Sequence, residues 1–263
     1  MCGISGIVDL RSRRPVDEAI LRRMNGVIAH RGPDGDGFHF EPGAGLGHRR
    51  LSIIDLAGGA QPLYNEDHSV LVVFNGEIFN FKEIEVELVA RGHQFRTRCD
   101  TEVIVHAWEE WGERCLERFN GMFAFAIWDR RTETLFLARD RLGVKPLYYA
   151  LLGDGCLIFG SELKALLAHP GLQRRVDHRA VEEYFAFGYV PDPRTIFEGV
   201  FKLEPGACWS LRRGAAPGAP RRYWDVPLAG ERRAEGSFED WKEELRARLK
   251  ESVRKRLVSD VPL

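Results

Sequence analysis

The sequence predicts an α+β domain in which two antiparallel sheets lie between layers of helix. Short apolar runs at Val70 to Phe74, Gly121 to Trp128, Leu135 to Arg139, Pro146 to Leu151 and Cys156 to Phe159 are rich in β-branched and aromatic residues. Hairpin-length turns such as Arg130-Arg131-Thr132-Glu133 and Gly153-Asp154-Gly155 part them, which favours antiparallel pairing. Phe81, Ile84 and Leu88 recur at helical spacing ahead of Gly92, and Ile104, Ala107, Trp108 and Trp111 do so ahead of Gly112. Met122 through Trp128 shows no polar alternation, so that strand is expected to be covered on both faces. A four-layer αββα sandwich meets all three conditions.

In chain order, Met1-Cys2-Gly3-Ile4-Ser5-Gly6-Ile7-Val8-Asp9-Leu10 opens the chain as an apolar strand candidate. Asp34-Gly35-Asp36-Gly37 lacks the third acidic ligand and the closing Glu of a calcium loop and reads as a turn. Gly43-Ala44-Gly45-Leu46-Gly47 reads as a short flexible turn without dinucleotide-fingerprint spacing. Further on, Arg212-Arg213-Gly214-Ala215-Ala216-Pro217-Gly218-Ala219-Pro220 can hold neither a helix nor a central strand. This places one domain at 1–211, a linker at 212–236 and the start of a second, truncated domain at 237–263. Ser237-Phe238-Glu239-Asp240 resembles a capping box, and the helix it opens sets Phe238, Trp241, Leu245, Leu249, Val253 and Leu257 in one stripe that needs a partner surface.

Composition excludes several function classes. With 263 residues, 44% hydrophobic content and a net charge of −1, the chain has a core of ordinary size and no field for nucleic acid or an anionic membrane. Neither a basic leader nor a bilayer-length apolar run is present, so the expected location is the cytoplasm. Cys2, Cys99, Cys115, Cys156 and Cys208 form no CxxC pair, and the eight histidines form no HExxH. No disulfide framework and no metal site is therefore expected.

Cys2 is the leading candidate for chemistry. Removal of Met1 would give one residue both a thiol and a free α-amine, a nucleophile and a base on one carbon skeleton. With an ordinary amine pKa near 7.7–8.0, roughly a seventh of that amine is neutral at pH 7 and can accept the thiol proton. The alternative is a small buried residue starting a strand. A second candidate is Asn75-Gly76-Glu77, at the end of the Val70 run. A strand-end glycine N–H and an Asn amide could donate to an oxyanion, although Asn-Gly is equally the commonest turn dipeptide.

Nine segments, in order, resemble the class II glutamine amidotransferases, and within them the glutamine-hydrolysing asparagine synthetases. They are Met1-Cys2-Gly3-Ile4, His30-Arg31-Gly32-Pro33-Asp34, Arg50-Leu51-Ser52-Ile53, Gln61-Pro62-Leu63, Asn75-Gly76-Glu77, Asp100-Thr101-Glu102, Gly121 to Phe125, Arg139 to Leu147 and Gly160 to Leu166. The resemblance runs to about Trp224 and resumes at Ser259-Asp260-Val261-Pro262-Leu263, which in that family precedes the pyrophosphate loop of a synthetase domain. It implies the N-terminal nucleophile hydrolase fold, and Cys2 as the nucleophile that attacks the carboxamide of L-glutamine. Asn75 and the Gly76 N–H would hold the oxyanion, Arg50 would pair with the substrate α-carboxylate, and Glu77 and Asp100 would bind its α-ammonium. Main-chain groups at Leu51 and Ile53 would line the site. Asp100 is also a candidate N-cap for a helix beginning at Thr101. The resemblance further implies that ammonia passes to a synthetase domain in cis, where ATP and Mg²⁺ activate aspartate, with no cofactor in the chain itself; members of that family often form homodimers, and the sequence itself is silent on oligomeric state. A different acceptor, and a catalytically silent binding module, are the alternatives.

Overall fold

The computed structural model describes residues 1–227 and 236–262. Its elements, in order, are β1 (Gly3–Asp9), α1 (Glu18–Gly26), β2 (Gly35–Glu41), β3 (Ala44–Arg50), β4 (Leu63–Tyr64), β5 (Val70–Ile78), α2 (Phe81–Ala90), α3 (Glu102–Trp111), α4 (Cys115–Arg118), β6 (Gly121–Asp129), β7 (Thr134–Arg139), β8 (Tyr148–Leu151), β9 (Cys156–Gly160), α5 (Leu163–Leu167), α6 (His178–Phe187), β10 (Val200–Lys202), β11 (Ala207–Arg212), β12 (Arg221–Arg222) and α7 (Phe238–Lys255). One sheet runs β10-β8-β9-β1-β3-β2 and the other β12-β11-β7-β6-β5-β4. All pairings within both sheets are antiparallel.

Side-chain alternation builds the layers. Leu71 and Val73 of β5, and Ala124, Ala126 and Trp128 of β6, face the first sheet and pack with Ile4, Val8, Leu46 and Phe159. Their neighbours Val70, Val72, Phe74, Phe123, Phe125 and Ile127 turn the other way, onto Ile84 and Leu88 of α2 and Val103, Ile104 and Ala107 of α3. On the far side of the first sheet, Ile7 and Ile158 pack on Leu21 and Met24 of α1 and Ala165 and Leu166 of α5. The αββα sandwich is thus three apolar interfaces. Each fully buried large side chain in them contributes about 1.5–3 kcal/mol of burial.

Two segments read as turns are strands. Gly35–Glu41 forms β2, and its Gly37 is needed because a Cβ there would lie 1.9 Å from the Gln61 carbonyl oxygen. Only Gly43, at φ +81°, turns. Ala44–Arg50 is β3, where a Cβ on Gly45 would meet Val16 at 2.9 Å and Leu21 at 3.1 Å. Glycine in β3 therefore serves close packing under α1 and not flexibility.

The second sheet takes in Arg221–Arg222, which pair with Cys208 and Ala207, beyond the boundary expected after residue 211. The rest of the expected 212–236 linker lies partly outside the described residues. Helix α7 begins with the capping box of Ser237 and Asp240. Its apolar stripe stays open, with Phe238, Leu245, Leu249 and Leu257 all more than 60% exposed. No described helix is long and apolar enough to cross a membrane.

Candidate active site

The register of β1 against β3 sets the position of the thiol. Gly3 pairs with Arg49, so Cys2 lies opposite Arg50, next to the start of the loop at 51–62. There the Leu51 N–H donates to the Cys2 sulfur at 3.4 Å, and the thiol faces the Leu51 carbonyl at 3.6 Å. The beginning of β1 is clamped from both sides. Arg31 Nε donates to the Cys2 carbonyl at 2.8 Å while its Nη1 pairs with Glu162 at 3.1 Å. Ser161 Oγ accepts the Ile4 N–H and the Ser161 N–H donates to the Ile4 carbonyl, both at 2.9 Å. The His30–Asp34 and Gly160–Leu166 motifs thus fix the backbone of Cys2 and Ile4.

Asn75, Gly76 and Glu77 are not a turn. They lie inside β5, paired with Ala124, Phe123 and Met122 of β6. The Phe123 N–H and carbonyl both turn toward Asp140 on the other side, so the Gly76 N–H points away from β6, like its neighbours two residues off. Those neighbours are satisfied by side chains. The Phe74 N–H donates to Gln61 Oε1 at 2.7 Å and the Ile78 N–H to Asp100 Oδ2 at 2.9 Å. The Gly76 N–H between them faces the cavity. The Asn75 amide lines the same cavity, 1% exposed, and neither its oxygen nor its nitrogen has a hydrogen-bond partner among the described residues. Leaving such a group unpaired costs about 1–3 kcal/mol. Gly76 must lack a Cβ because one would sit 2.2 Å from the Met122 carbonyl oxygen.

The cavity is lined by Met1, Cys2, Arg50, Leu51, Ile53, Asn75, Gly76, Glu77 and Asp100, with Gln61, Thr101 and Lys145 among its other walls. All eight residues singled out from the sequence therefore meet in one place. Arg50 also has a task that the sequence did not reveal. Its Nη2 donates to the Asp55 carbonyl at 2.6 Å and its Nη1 to the Leu56 carbonyl at 3.0 Å, so it braces the 51–59 loop and pairs with no carboxylate among the described residues. Asp100 does not cap a helix beginning at Thr101. Helix α3 starts one residue later, with Thr101 at its N-cap, because the Asp100 carboxylate is turned inward onto β5.

Burial sets the electrostatics. It raises Asp100 to about 7, against the Ile78 N–H, with neighbouring Glu77 adding to the rise. Burial likewise raises Glu77 and the Cys2 thiol, the latter against the Leu51 hydrogen bond. The terminal amine, carried here by Met1, is lowered by burial and by nearby Arg31 and Lys145.

Lys145, Gln61 and Thr101 were not given roles from the sequence. Asp140 folds the turn that delivers Lys145, accepting the Leu142, Val144 and Lys145 N–H groups at 3.0–3.1 Å. Gln61 bridges the Phe74 N–H and the Thr101 hydroxyl. Both stand in recognisable motifs, but a long-range bridge leaves no local spacing to read. Away from the cavity, Glu66, His93 and His106 come together at metal-ligand distances, a grouping that the scattered histidines did not predict. Burial opposes a charge on His106, but Glu102 and Glu109 outweigh it and raise the imidazole to about 9. The ring lies among carboxylates, its Nδ1 3.3 Å from Glu109 and its Nε2 3.7 Å from Glu102.

Comparison with known proteins agrees with this geometry. A family model described as a glutamine amidotransferase domain matches residues 1–224. Asparagine synthetase 3 (glutamine-hydrolyzing) of Bacillus subtilis is 40% identical over 267 residues, covering 100% of this chain and 42% of the relative. Asparagine synthetase 2 (glutamine-hydrolyzing) of Arabidopsis thaliana is 34% identical over 262 residues, covering 100% and 39%. The chain spans about two-fifths of the length of these relatives. A solved glutamine phosphoribosylpyrophosphate amidotransferase of Bacillus subtilis superposes with a TM-score of 0.58 at 20% identity, over 85% of this chain and 49% of the other, which shows a shared fold. With its αββα sandwich and a match over residues 1–224, the chain belongs to the glutamine amidotransferase domain family.

Proposed function

We propose that this domain hydrolyses the side-chain amide of L-glutamine, with Cys2, freed of Met1, as the nucleophile. One observation carries the reading: an unpaired Asn75 amide and an inward-facing Gly76 N–H line the same cavity as a thiol at the start of the chain. The Cys2 sulfur bonds to the amide carbon as its proton passes to the Cys2 α-amine. The oxyanion that forms accepts hydrogen bonds from Asn75 Nδ2 and the Gly76 N–H, each worth roughly 3–4 kcal/mol in the transition state. The protonated amine then gives its proton to the departing nitrogen, the C–N bond breaks, and ammonia leaves a γ-glutamyl thioester. Water adds to the thioester while the amine takes its proton, the C–S bond breaks, and glutamate and the thiol are released. Arg50 receives the substrate α-carboxylate, while Glu77 and the ionised form of Asp100 receive its α-ammonium. Main-chain groups of Leu51 and Ile53 complete the wall.

The wider reading adds what the sequence resemblance implies to the relatives' printed names. Ammonia passes to a synthetase domain in cis, beginning in the 237–263 region, where ATP and Mg²⁺ activate aspartate, in a cytoplasmic homodimer. The open stripe of α7 supports a further packing partner. The glutamine site does not distinguish an amidotransferase with a different acceptor, so the acceptor is decided by product analysis.

The test is glutamate release by chain whose N-terminus is verified by mass spectrometry. Activity is expected only where Cys2 is terminal, and Cys2→Ala is expected to abolish it without lowering the thermal midpoint. Full activity with Met1 retained would overturn the reading. Processed but inert chain would favour a silent binding module.

A further inference from the structure

We infer that Asp260 is a positioning residue for the glutamine site, acting through Asp55. This rests on the reading above and extends it to a residue that lies outside the cavity. The Asp260 N–H donates to the Ile53 carbonyl at 2.9 Å, and Asp260 Oδ2 accepts the Asp55 N–H at 2.7 Å. These two bonds join positions more than 200 residues apart and fall on the loop that follows Arg50 and Leu51.

Asp55 is the knot of that loop. It sits at φ +49°, a left-handed conformation that a non-glycine residue holds only when its surroundings fix it. Its Oδ1 accepts the Gly58 N–H and its Oδ2 the Arg98 N–H, both at 2.8 Å. Its carbonyl accepts from Arg50 Nη2 at 2.6 Å and from the Gly59 N–H at 2.9 Å. The remaining polar atom, the Asp55 N–H, is the one that Asp260 holds.

The segment bearing Asp260 is anchored along its length. Lys255 pairs with Glu83 at 3.6 Å, the Arg256 guanidinium lies 4.2 Å from the Phe79 ring centre, and Val258 packs on the helix-side core beside Ile54. All of these contacts border β5 just beyond Glu77 or the 51–59 loop. Residues 255–260 thus form a strap that lies against Phe79, Glu83 and the 51–59 loop. Its last residue fixes the carbonyls that aim Arg50, and with them the Leu51 backbone that touches the Cys2 sulfur.

The experiment compares Asp260→Ala with Asp260→Asn in the full chain with Cys2 terminal. Loss of the acceptor in Asp260→Ala is expected to raise the glutamine KM roughly tenfold, with kcat changed far less and the thermal midpoint kept. Asp260→Asn retains an oxygen for the Asp55 N–H and is expected to restore the parent KM. Hydrogen exchange gives a readout free of catalysis: amides of residues 53–59 are expected to exchange faster in Asp260→Ala, with those of β5 unchanged. A KM and an exchange rate like the parent's in Asp260→Ala would overturn the inference, as would failure of Asp260→Asn to rescue. If the parent itself releases no glutamate, the glutamine reading fails while the exchange data still decide the clasp.

Discussion

The main chain of Leu51 brackets the sulfur of Cys2, its N–H 3.4 Å away and its carbonyl 3.6 Å away. The Cys2 thiol is therefore held by backbone and not by a histidine. Among the described residues no imidazole lines the cavity, and on the proposed chemistry the terminal amine of Cys2 serves as the base. This relation follows from the β1–β3 register, since a one-residue slip would turn Cys2 onto the opposite face.

Asn75 and Gln61 provide opposite tests of buried amides. Asn75 makes no hydrogen bond among the described residues, so Asn75→Ala should leave the thermal midpoint nearly unchanged while lowering kcat about 10²–10³-fold. Gln61 satisfies the Phe74 N–H and Thr101, so Gln61→Ala should cost about 1–3 kcal/mol of stability. Thermal denaturation paired with steady-state kinetics separates the two.

Asp100 should make the domain less stable as pH rises. Its carboxyl is raised from 3.8 to about 7, so between those values the folded chain holds a proton that the unfolded chain gives up, and folding free energy is lost across that window. Asp100→Asn is expected to raise the thermal midpoint at pH 8 but not at pH 4. In the parent, glutamine affinity should weaken as pH falls through about 7, because the partner of the substrate ammonium becomes neutral. That dependence should be absent in Asp100→Asn, as a pH series of KM would show.

Arg50→Lys should raise the glutamine KM roughly tenfold with a smaller change in kcat. The guanidinium fork reaches the Asp55 and Leu56 carbonyls together, whereas an ammonium is a single point. An unchanged KM in the lysine variant would remove Arg50 from glutamine binding.

Much of this site was legible in the sequence because its residues fall in short contiguous motifs. Cys2, Arg50, Asn75-Gly76-Glu77 and Asp100 all line the cavity, and the apolar run at 122–128 does form a strand covered on both faces. What could not be read depends on distant partners. Glycines in β3 resemble a flexible turn until the packing of α1 beneath them is known. Asp100 resembles an N-cap because its bond to Ile78 crosses 22 positions. Asn75-Gly76 resembles a hairpin turn because pairing with β6, which keeps it extended, is set by residues more than 45 positions later.

The tethering of the first strand by Arg31 and Ser161 has a practical corollary. Chain ends commonly fray, yet here the chain is buried from Gly3 onward while Met1 stays 59% exposed. On the proposed chemistry the newly made protein folds into a finished but capped catalyst, and an aminopeptidase, not folding, determines what fraction of molecules can turn over. Affinity handles therefore belong away from this end, and specific activity should track the efficiency of methionine trimming in the expression host.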